Sequence, residues 1–98
     1  MLGSLVIEHL RARRDRVARS LQWLADFRQR LKAFAESGSA TVKAPPITAM
    51  DWESYKILAG VETSVAAIIE DVPPDATRTV RSTAVSAALA VIDQVKGL

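Results

Sequence analysis

A long segment of the chain, residues 4–36, contains neither proline nor glycine. Because these two residues disfavour helix interiors most strongly, nothing in the segment interrupts a helix. At about 1.5 Å per residue, the predicted helix over residues 4–36 is about 48 Å long. Apolar side chains recur in it every seven residues, which is typical of a packed helix face: Leu10, Val17, Leu24 and Leu31.

A loop is predicted next, over about residues 37–48. Gly38 is a helix-ending signal, because glycine readily adopts the left-handed conformation of a C-cap. Thr48 followed three residues later by Asp51 resembles a capping box. We therefore predict a second helix over residues 49–71.

Two consecutive prolines, Pro73 and Pro74, stop the second helix. Proline is well tolerated in the first turn of a helix, so the third helix is predicted over residues 74–96. The predicted inward side chains of the second helix are Met50, Ile57, Leu58, Val61, Val65, Ile68 and Ile69. Those of the third are Val80, Ala84, Ala87, Ala88, Val91, Ile92 and Val95.

The fold expected from these elements is all-α, with residues 1–98 forming one domain. No stretch alternates apolar and polar residues long enough to indicate a strand. The short proline link makes the last two helices antiparallel neighbours, and the longer loop lets the first helix pack across both. We predict a three-helix antiparallel bundle whose long N-terminal helix overhangs its shorter partners.

Composition narrows the class of protein. A hydrophobic content of 49% is ordinary for a globular chain. The absence of cysteine excludes disulfides and thiolate metal sites, and mildly favours the cytosol. The first apolar run, residues 5–7, is short and is followed by its arginines, so we expect neither a signal peptide nor a membrane span.

Charge is unevenly distributed, although the chain carries only +2 in total. Residues 1–42 hold eight Arg and Lys against four Asp and Glu, which is +4, and the remainder is −2. Arg13, Arg14 and Arg16 lie in the most basic stretch, which suits phosphate or an acidic protein surface. A solvated helix end with local Asp–Arg pairs is the simpler interpretation, and binding of nucleic acid is the alternative function.

Residues able to perform catalysis are few. The single histidine, His9, follows Glu8, but neighbours on a helix point about 100° apart and do not share a site. The sequence has no phosphate-binding glycine loop and no histidine–carboxylate cluster at ligand spacing. We therefore expect no enzyme, no cofactor, no metal site and no small-molecule substrate.

Arg13 and Arg16 interrupt the apolar side of the first helix and divide it into two patches. The second patch, from Val17 to Ala35, includes Leu21, Trp23, Phe27 and Phe34 and is wide enough to be the core. The first patch lies beyond the arginines, on the overhang, and predicts a contact with another chain. The alternative is that these N-terminal turns fold back or are disordered. The residues of the first patch are Leu2, Leu5, Val6 and Leu10.

Trp52 and Tyr55 lie near the start of the predicted second helix. By helical angle Trp52 points away from Val61 and the predicted core, and such aromatic residues are enriched at interfaces. The alternative is that Trp52 folds beneath the loop. The outward faces of the last two helices contain mostly Ala, Ser, Thr and Gly and little charge, which favours cover by other subunits.

A resemblance to a known class begins at Asp51. Asp51, Tyr55, Leu58 and Gly60 form an acidic-x-x-x-Tyr-x-x-Leu-x-Gly pattern that continues through Ile68 and Ile69. This segment resembles a helix of small helical proteins encoded among bacteriophage head and neck genes. The chain departs from that pattern after Gly60, where Val61, Glu62 and Thr63 replace the usual glycine and leucine. The resemblance implies a multi-copy virion adaptor or assembly component, and no catalytic residue.

The sequence thus predicts a small non-enzymatic adaptor or assembly protein that forms homo-oligomers or binds another protein. We expect it in the cytoplasm, or in a virion if the resemblance holds. The expected partner-binding residues are Leu2, Leu5, Val6, Leu10, Arg13, Arg14, Arg16, Trp52 and Tyr55.

Overall fold

The architecture is all-α, as predicted. The computed structural model describes residues 2–38, 42–48 and 51–95, with residues 2–9 described by their backbone alone. It contains three helices: α1 (Leu2–Ser37), α2 (Trp52–Glu70) and α3 (Arg78–Asp93). These ranges contain no strand. The helices pack as a three-helix bundle in which α3 contacts both of the others.

The helix directions follow from contacts at each end. Arg28 on α1 pairs with Asp93 at the end of α3, whereas Gly38 after α1 lies beside Arg81 in the first turn of α3. Therefore α3 runs antiparallel to α1. The short link after α2 makes α3 antiparallel to α2 as well, so α1 and α2 run in the same direction.

The loop between α1 and α2 returns the chain along the bundle. The Lys43 carbonyl accepts a hydrogen bond from Arg30. The Pro45 carbonyl accepts one from Trp23, about two turns closer to the N-terminus of α1. Pro45 is buried, and three apolar loop side chains pack against the core. Because α1 and α2 contact each other little directly, residues 42–48 fill the space between them. The three packed loop side chains are Val42, Ala44 and Ile47.

Local chemistry sets the helix ends. Gly38 has φ +67° and its N–H donates to the Phe34 carbonyl over 2.9 Å, so it ends α1 as a left-handed C-cap. At the start of α2 the N-cap is Asp51, three residues beyond the predicted Thr48. The predicted start at residue 49 lies outside the described residues.

The predicted start of α3 at Pro74 is wrong, because the helix begins at Arg78. The Ala76 N–H donates to the Pro73 carbonyl, so the prolines form a separate turn. The side chain of Thr77 then accepts a hydrogen bond from the Val80 N–H over 3.3 Å. A threonine N-cap thus fixes the start more strongly than a proline in the first turn.

The core lies where the three helices meet. All three aromatic residues predicted for the α1 core, including Trp23 and Phe27, are buried, and Ser20 is buried beside them. Trp23 packs edge-on against Phe27 with ring centroids 5.2 Å apart. The buried apolar residues are Trp23, Leu24, Phe27, Leu31, Phe34, Leu58, Val61, Val65, Val85, Ala88 and Ile92.

Three predicted core positions are wrong. Leu21 is 55% exposed and Val80 is 46% exposed, and Ala87 is also exposed. The buried residues of α3 are the predicted Ala88 and Ile92 together with Val85, which the prediction missed. Val80 lies five residues before Val85, about 140° away around the helix, so both cannot face the core. Met50 lies outside the described residues.

The N-terminal part of α1 extends beyond the bundle, as predicted. The first buried residue of α1 among the described side chains is Ser20, and residues 10–19 are exposed or half-buried. The molecule is correspondingly elongated, measuring 62 × 20 × 19 Å. We call residues 10–19 the projecting segment.

Candidate protein interaction surface

Large apolar side chains are exposed at five described positions. Scattered exposed apolar residues are normal in soluble proteins, so their grouping is the informative observation. Four of the five lie near the end of the bundle from which α1 projects, and Val80 lies at the opposite end. The five are Leu10, Leu21, Trp52, Tyr55 and Val80, exposed by 53, 55, 67, 43 and 46%.

Trp52 and Tyr55 form a stacked pair in the first turn of α2. Their ring centroids are 5.8 Å apart and their planes differ by 13°. The Lys56 Nζ lies 5.8 Å from the Trp52 ring centroid and 3.2 Å from a Glu53 carboxylate oxygen. Since Trp52 is two-thirds exposed, the expectation that it points away from the core is confirmed, and it does not fold beneath the loop.

Asp51, the residue before Trp52, interacts electrostatically with Arg16 on α1. The Ser54 hydroxyl beside it holds the pKa of the Asp51 carboxyl below its ordinary value of 3.8, and the Arg16 guanidinium also lowers this pKa. The α2 N-terminus therefore lies at the level of Arg16 on α1. Two predicted binding regions that are distant in sequence, the basic stretch and the Trp52–Tyr55 pair, lie at one end of the bundle.

The projecting segment is strongly basic. It contains five arginines and one aspartate, Asp15, which gives it a net charge of +4. Arg11, Arg13 and Arg14 are exposed, whereas Arg16 is half-buried. None of these arginines lies within 4 Å of a carboxylate oxygen of a described residue. The predicted local Asp–Arg pairs are therefore not formed among the described side chains.

The apolar stripe of the projecting segment differs from the predicted patch. Leu10 and Leu21 are eleven residues apart, close to three full turns, so they lie on the same side of α1. Half-buried Val17 lies between them. The predicted contact residues Leu2, Leu5 and Val6 belong to α1 by backbone, but their side chains lie outside the described part of the chain, as does that of His9. Leu21 was missed because its heptad position resembles that of a core residue.

The outward faces of α2 and α3 have the expected small side chains. Gly60 is exposed, and a Cβ added there would meet no atom within 4 Å. On α3 the exposed positions between the charged ends are Thr79, Val80, Ser82, Thr83, Ser86, Ala87 and Ala90.

Comparison of the chain with protein-family models, curated proteins and solved structures finds no match. The phage resemblance therefore stays a prediction. Among the described residues, no helix is long and apolar enough to cross a membrane. Within the same residues, no three His, Cys, Asp or Glu side chains are grouped where they could hold a metal ion.

Proposed function

We propose that this chain is a non-enzymatic assembly protein that associates with copies of itself through a basic surface at one end of the bundle. This basic surface comprises the projecting segment, Leu21, Trp52 and Tyr55. The observation that carries the proposal is that the exposed aromatic pair lies at the level of Arg16, where the basic segment meets the bundle. Arginine, tryptophan and tyrosine are the residues most enriched at the energetic centres of protein interfaces.

The projecting segment itself supports an association function. Helices are marginally stable in water without tertiary packing of an apolar face. Here the helix continues for more than two turns before its first buried residue, while Leu10 is more than half exposed. A partner chain packed along the side that holds Leu10, Val17 and Leu21 would supply the missing contacts.

The chemistry of this surface also favours binding over catalysis. Its side chains are guanidinium, aliphatic and aromatic groups, which recognise surfaces and are poor general acids or bases at neutral pH. The shifted pKa of Asp51 follows from its position as a helix N-cap beside Ser54 and Arg16. An association role, in the cytoplasm or in a virion, would account for the exposed apolar residues, the arginines and the stacked aromatic pair at this end of the molecule.

The test is the molar mass in solution by light scattering, at low and high salt. We expect the unaltered chain to form oligomers, and Leu10→Asp with Leu21→Asp to give the mass of one chain while the helical circular dichroism is kept. Ala90→Asp, at an exposed position on α3, is the matched control and should assemble normally. An unaltered chain that remains a monomer at high concentration would contradict the proposal.

Nucleic-acid binding is the second candidate, because the arginines of the projecting segment carry no ion pair to the described acidic residues. It predicts affinity for any duplex that falls steeply with salt. Changing Arg13, Arg14 and Arg16 together to Gln would abolish that binding. Leu10→Asp with Leu21→Asp would change it little, which separates this candidate from the assembly function.

A further inference from the structure

The end of the bundle opposite the basic surface carries an open apolar groove. It lies between the end of α2 and the start of α3 and has a volume of about 330 Å³. Val80, in the first turn of α3, is its most exposed large side chain. Asp71, Thr79 and Thr83 also line the groove. We name it the acidic groove, and its apolar residues are Ile68, Val72, Val80 and Ala84.

One exposed carboxylate, Asp71, lines this groove, and two more, Glu70 and Asp75, lie within four residues of it in the sequence. Glu70, Asp71 and Asp75 follow one another with no lysine or arginine between them. The nearest cations, Arg78 and Arg81, line neighbouring depressions and not the groove itself. Arg78 is two residues from Val80, about 160° away around α3, and Arg81 donates a 2.9 Å hydrogen bond to the Ala76 carbonyl beside Gly38. Among the described residues, the one charged side chain that lines the groove is therefore the Asp71 carboxylate at the end of α2, and the α3 residues that face it are uncharged.

The position of Glu70 and Asp71 also opposes a general rule of helix stability. Negative side chains at a helix C-terminus interact unfavourably with the helix dipole, and the last turn of α2 holds no basic residue to compensate. Positions that break local rules without a structural gain are where binding sites are expected. Neither carboxylate forms an ion pair with a described residue that would offset the cost.

The basic surface and the acidic groove match in chemistry but cannot meet within one molecule. The projecting segment is an exposed helix with net charge +4 and an apolar stripe, whereas the groove is apolar with acidic edges. They lie at opposite ends of a molecule 62 Å long, because α1 projects from the end where α2 begins and the groove lies where α2 ends. Their complementary charges therefore favour contact between two copies.

Building on the proposed function, we propose that the projecting segment of one copy docks in the acidic groove of the next, with Leu10 against Val80 and the arginines against Asp71 and its acidic neighbours in sequence. Such a contact joins two different surfaces and is heterologous. Heterologous contacts produce rings when the rotation closes and open filaments when it does not. The occupant of the groove is a second copy of this chain.

Mixing two defective variants tests this arrangement. One variant, Leu10→Glu with Leu21→Glu, has a damaged projecting segment and an intact groove. The other, Val80→Lys, has a damaged groove and an intact projecting segment, and the Val80 N–H can still cap to Thr77. Each alone should have the mass of one chain, with association weakened at least about tenfold. An equimolar mixture should form dimers and stop there, since each dimer contains one intact contact and no further complementary pair.

Asp71→Lys is a second groove variant that separates binding from folding. A lysine at the end of α2 interacts favourably with the helix dipole, so the free energy of unfolding should rise slightly while self-association falls. Ala90→Lys introduces a lysine at an exposed α3 position outside the groove, raising the net charge by one where Asp71→Lys raises it by two, and should change association less than about twofold.

The outcomes distinguish this inference from the proposed function. If both groove variants assemble like the unaltered chain while the Leu10/Leu21 variant does not, the groove is excluded and the proposed function survives. A mixture of two monomeric variants that stays monomeric also overturns the head-to-tail contact. If the Leu10/Leu21 variant assembles normally as well, both proposals fail.

Discussion

The indole Nε1 of Trp23 donates a 2.7 Å hydrogen bond to the carbonyl oxygen of Pro45. Both residues are buried, so the bond satisfies a donor on α1 and a carbonyl of the loop at once. It holds residues 42–48 against the side of α1 that α2 would otherwise cover. The loop is thus a packed part of the bundle, and its removal would expose the core between α1 and α2.

Trp23→Phe should lower the free energy of unfolding by about 1–3 kcal/mol. The substitution keeps an aromatic ring beside Phe27 but leaves the buried Pro45 carbonyl without its donor. Chemical denaturation at low protein concentration measures the effect. Trp52→Phe is the control, and because Trp52 is largely exposed its change should stay below about 0.5 kcal/mol. Equal losses for both variants would show that the hydrogen bond adds nothing.

Trp52→Ala should weaken self-association at least about tenfold while changing the free energy of unfolding by less than about 1 kcal/mol. The side chain contacts Tyr55 and Lys56 on its own helix turn and is otherwise exposed. Sedimentation gives the association constant and thermal denaturation gives the stability. A loss of stability larger than the loss of association would make Trp52 a packing residue.

Replacing Gly38 and Gly60 by alanine should change the free energy of unfolding in opposite directions. Gly38→Ala should cost about 1–2 kcal/mol, because φ is +67° there and the new Cβ would lie 3.0 Å from the Arg81 Cζ. Gly60→Ala should instead add about 0.5–1 kcal/mol, because it lies inside α2 and its Cβ would meet no atom. Denaturation of both variants checks this pair. A Gly60→Ala chain that is more stable but associates less would show that a partner packs closely on α2.

Asp51 should contribute to the acid dependence of stability. Its pKa is lowered in the folded chain, chiefly by the Ser54 hydroxyl and also by the Arg16 guanidinium. A lowered folded pKa stabilises the fold fully above the ordinary value of 3.8, and this contribution is lost as the pH falls through the folded pKa. The stability of Asp51→Asn should therefore approach that of the unaltered chain below that range. NMR titration should also show Ser54→Ala raising the Asp51 pKa; no rise would exclude the hydroxyl as the cause.

Helical periodicity was sufficient to predict the fold. The absence of breakers in residues 4–36 and the seven-residue spacing correctly indicated one long helix that overhangs the bundle. It placed Leu24 and Leu31 in the core, and both are buried. Periodicity could not locate the end of the bundle, because Leu21 has core spacing but is more than half exposed. The position along α1 at which burial begins depends on where the other helices end beside it, and this is a property of the tertiary packing.

The start of α3 illustrates a second limit. Proline in a first turn and threonine at an N-cap are both valid start signals, and the sequence offers Pro74 and Thr77 within one turn of each other. With Thr77 as N-cap, Val80 lies in the first turn of α3 and is 46% exposed, while Val85 is buried. The exposure of Val80 depends on where the end of α2 lies beside this turn, so it could not be predicted from the sequence pattern.

The proximity of Arg16 to the start of α2 could not be predicted from the spacing of residues in the sequence either. The two lie far apart in sequence, and their distance depends on how far residues 42–48 carry the chain back along α1. The sequence predicted both the basic stretch and the Trp52–Tyr55 pair as contact residues. It gave no indication that they lie at the same end of the bundle.

The projecting segment contains no buried residue, so its length can change without the loss of a core side chain. Seven residues inserted before Ser20 would move the tip outward by about 10 Å and rotate it by only about 20°. The core would be untouched. In an assembly built through this segment, the spacing between successive copies would therefore be set by a length that mutation can change one heptad at a time.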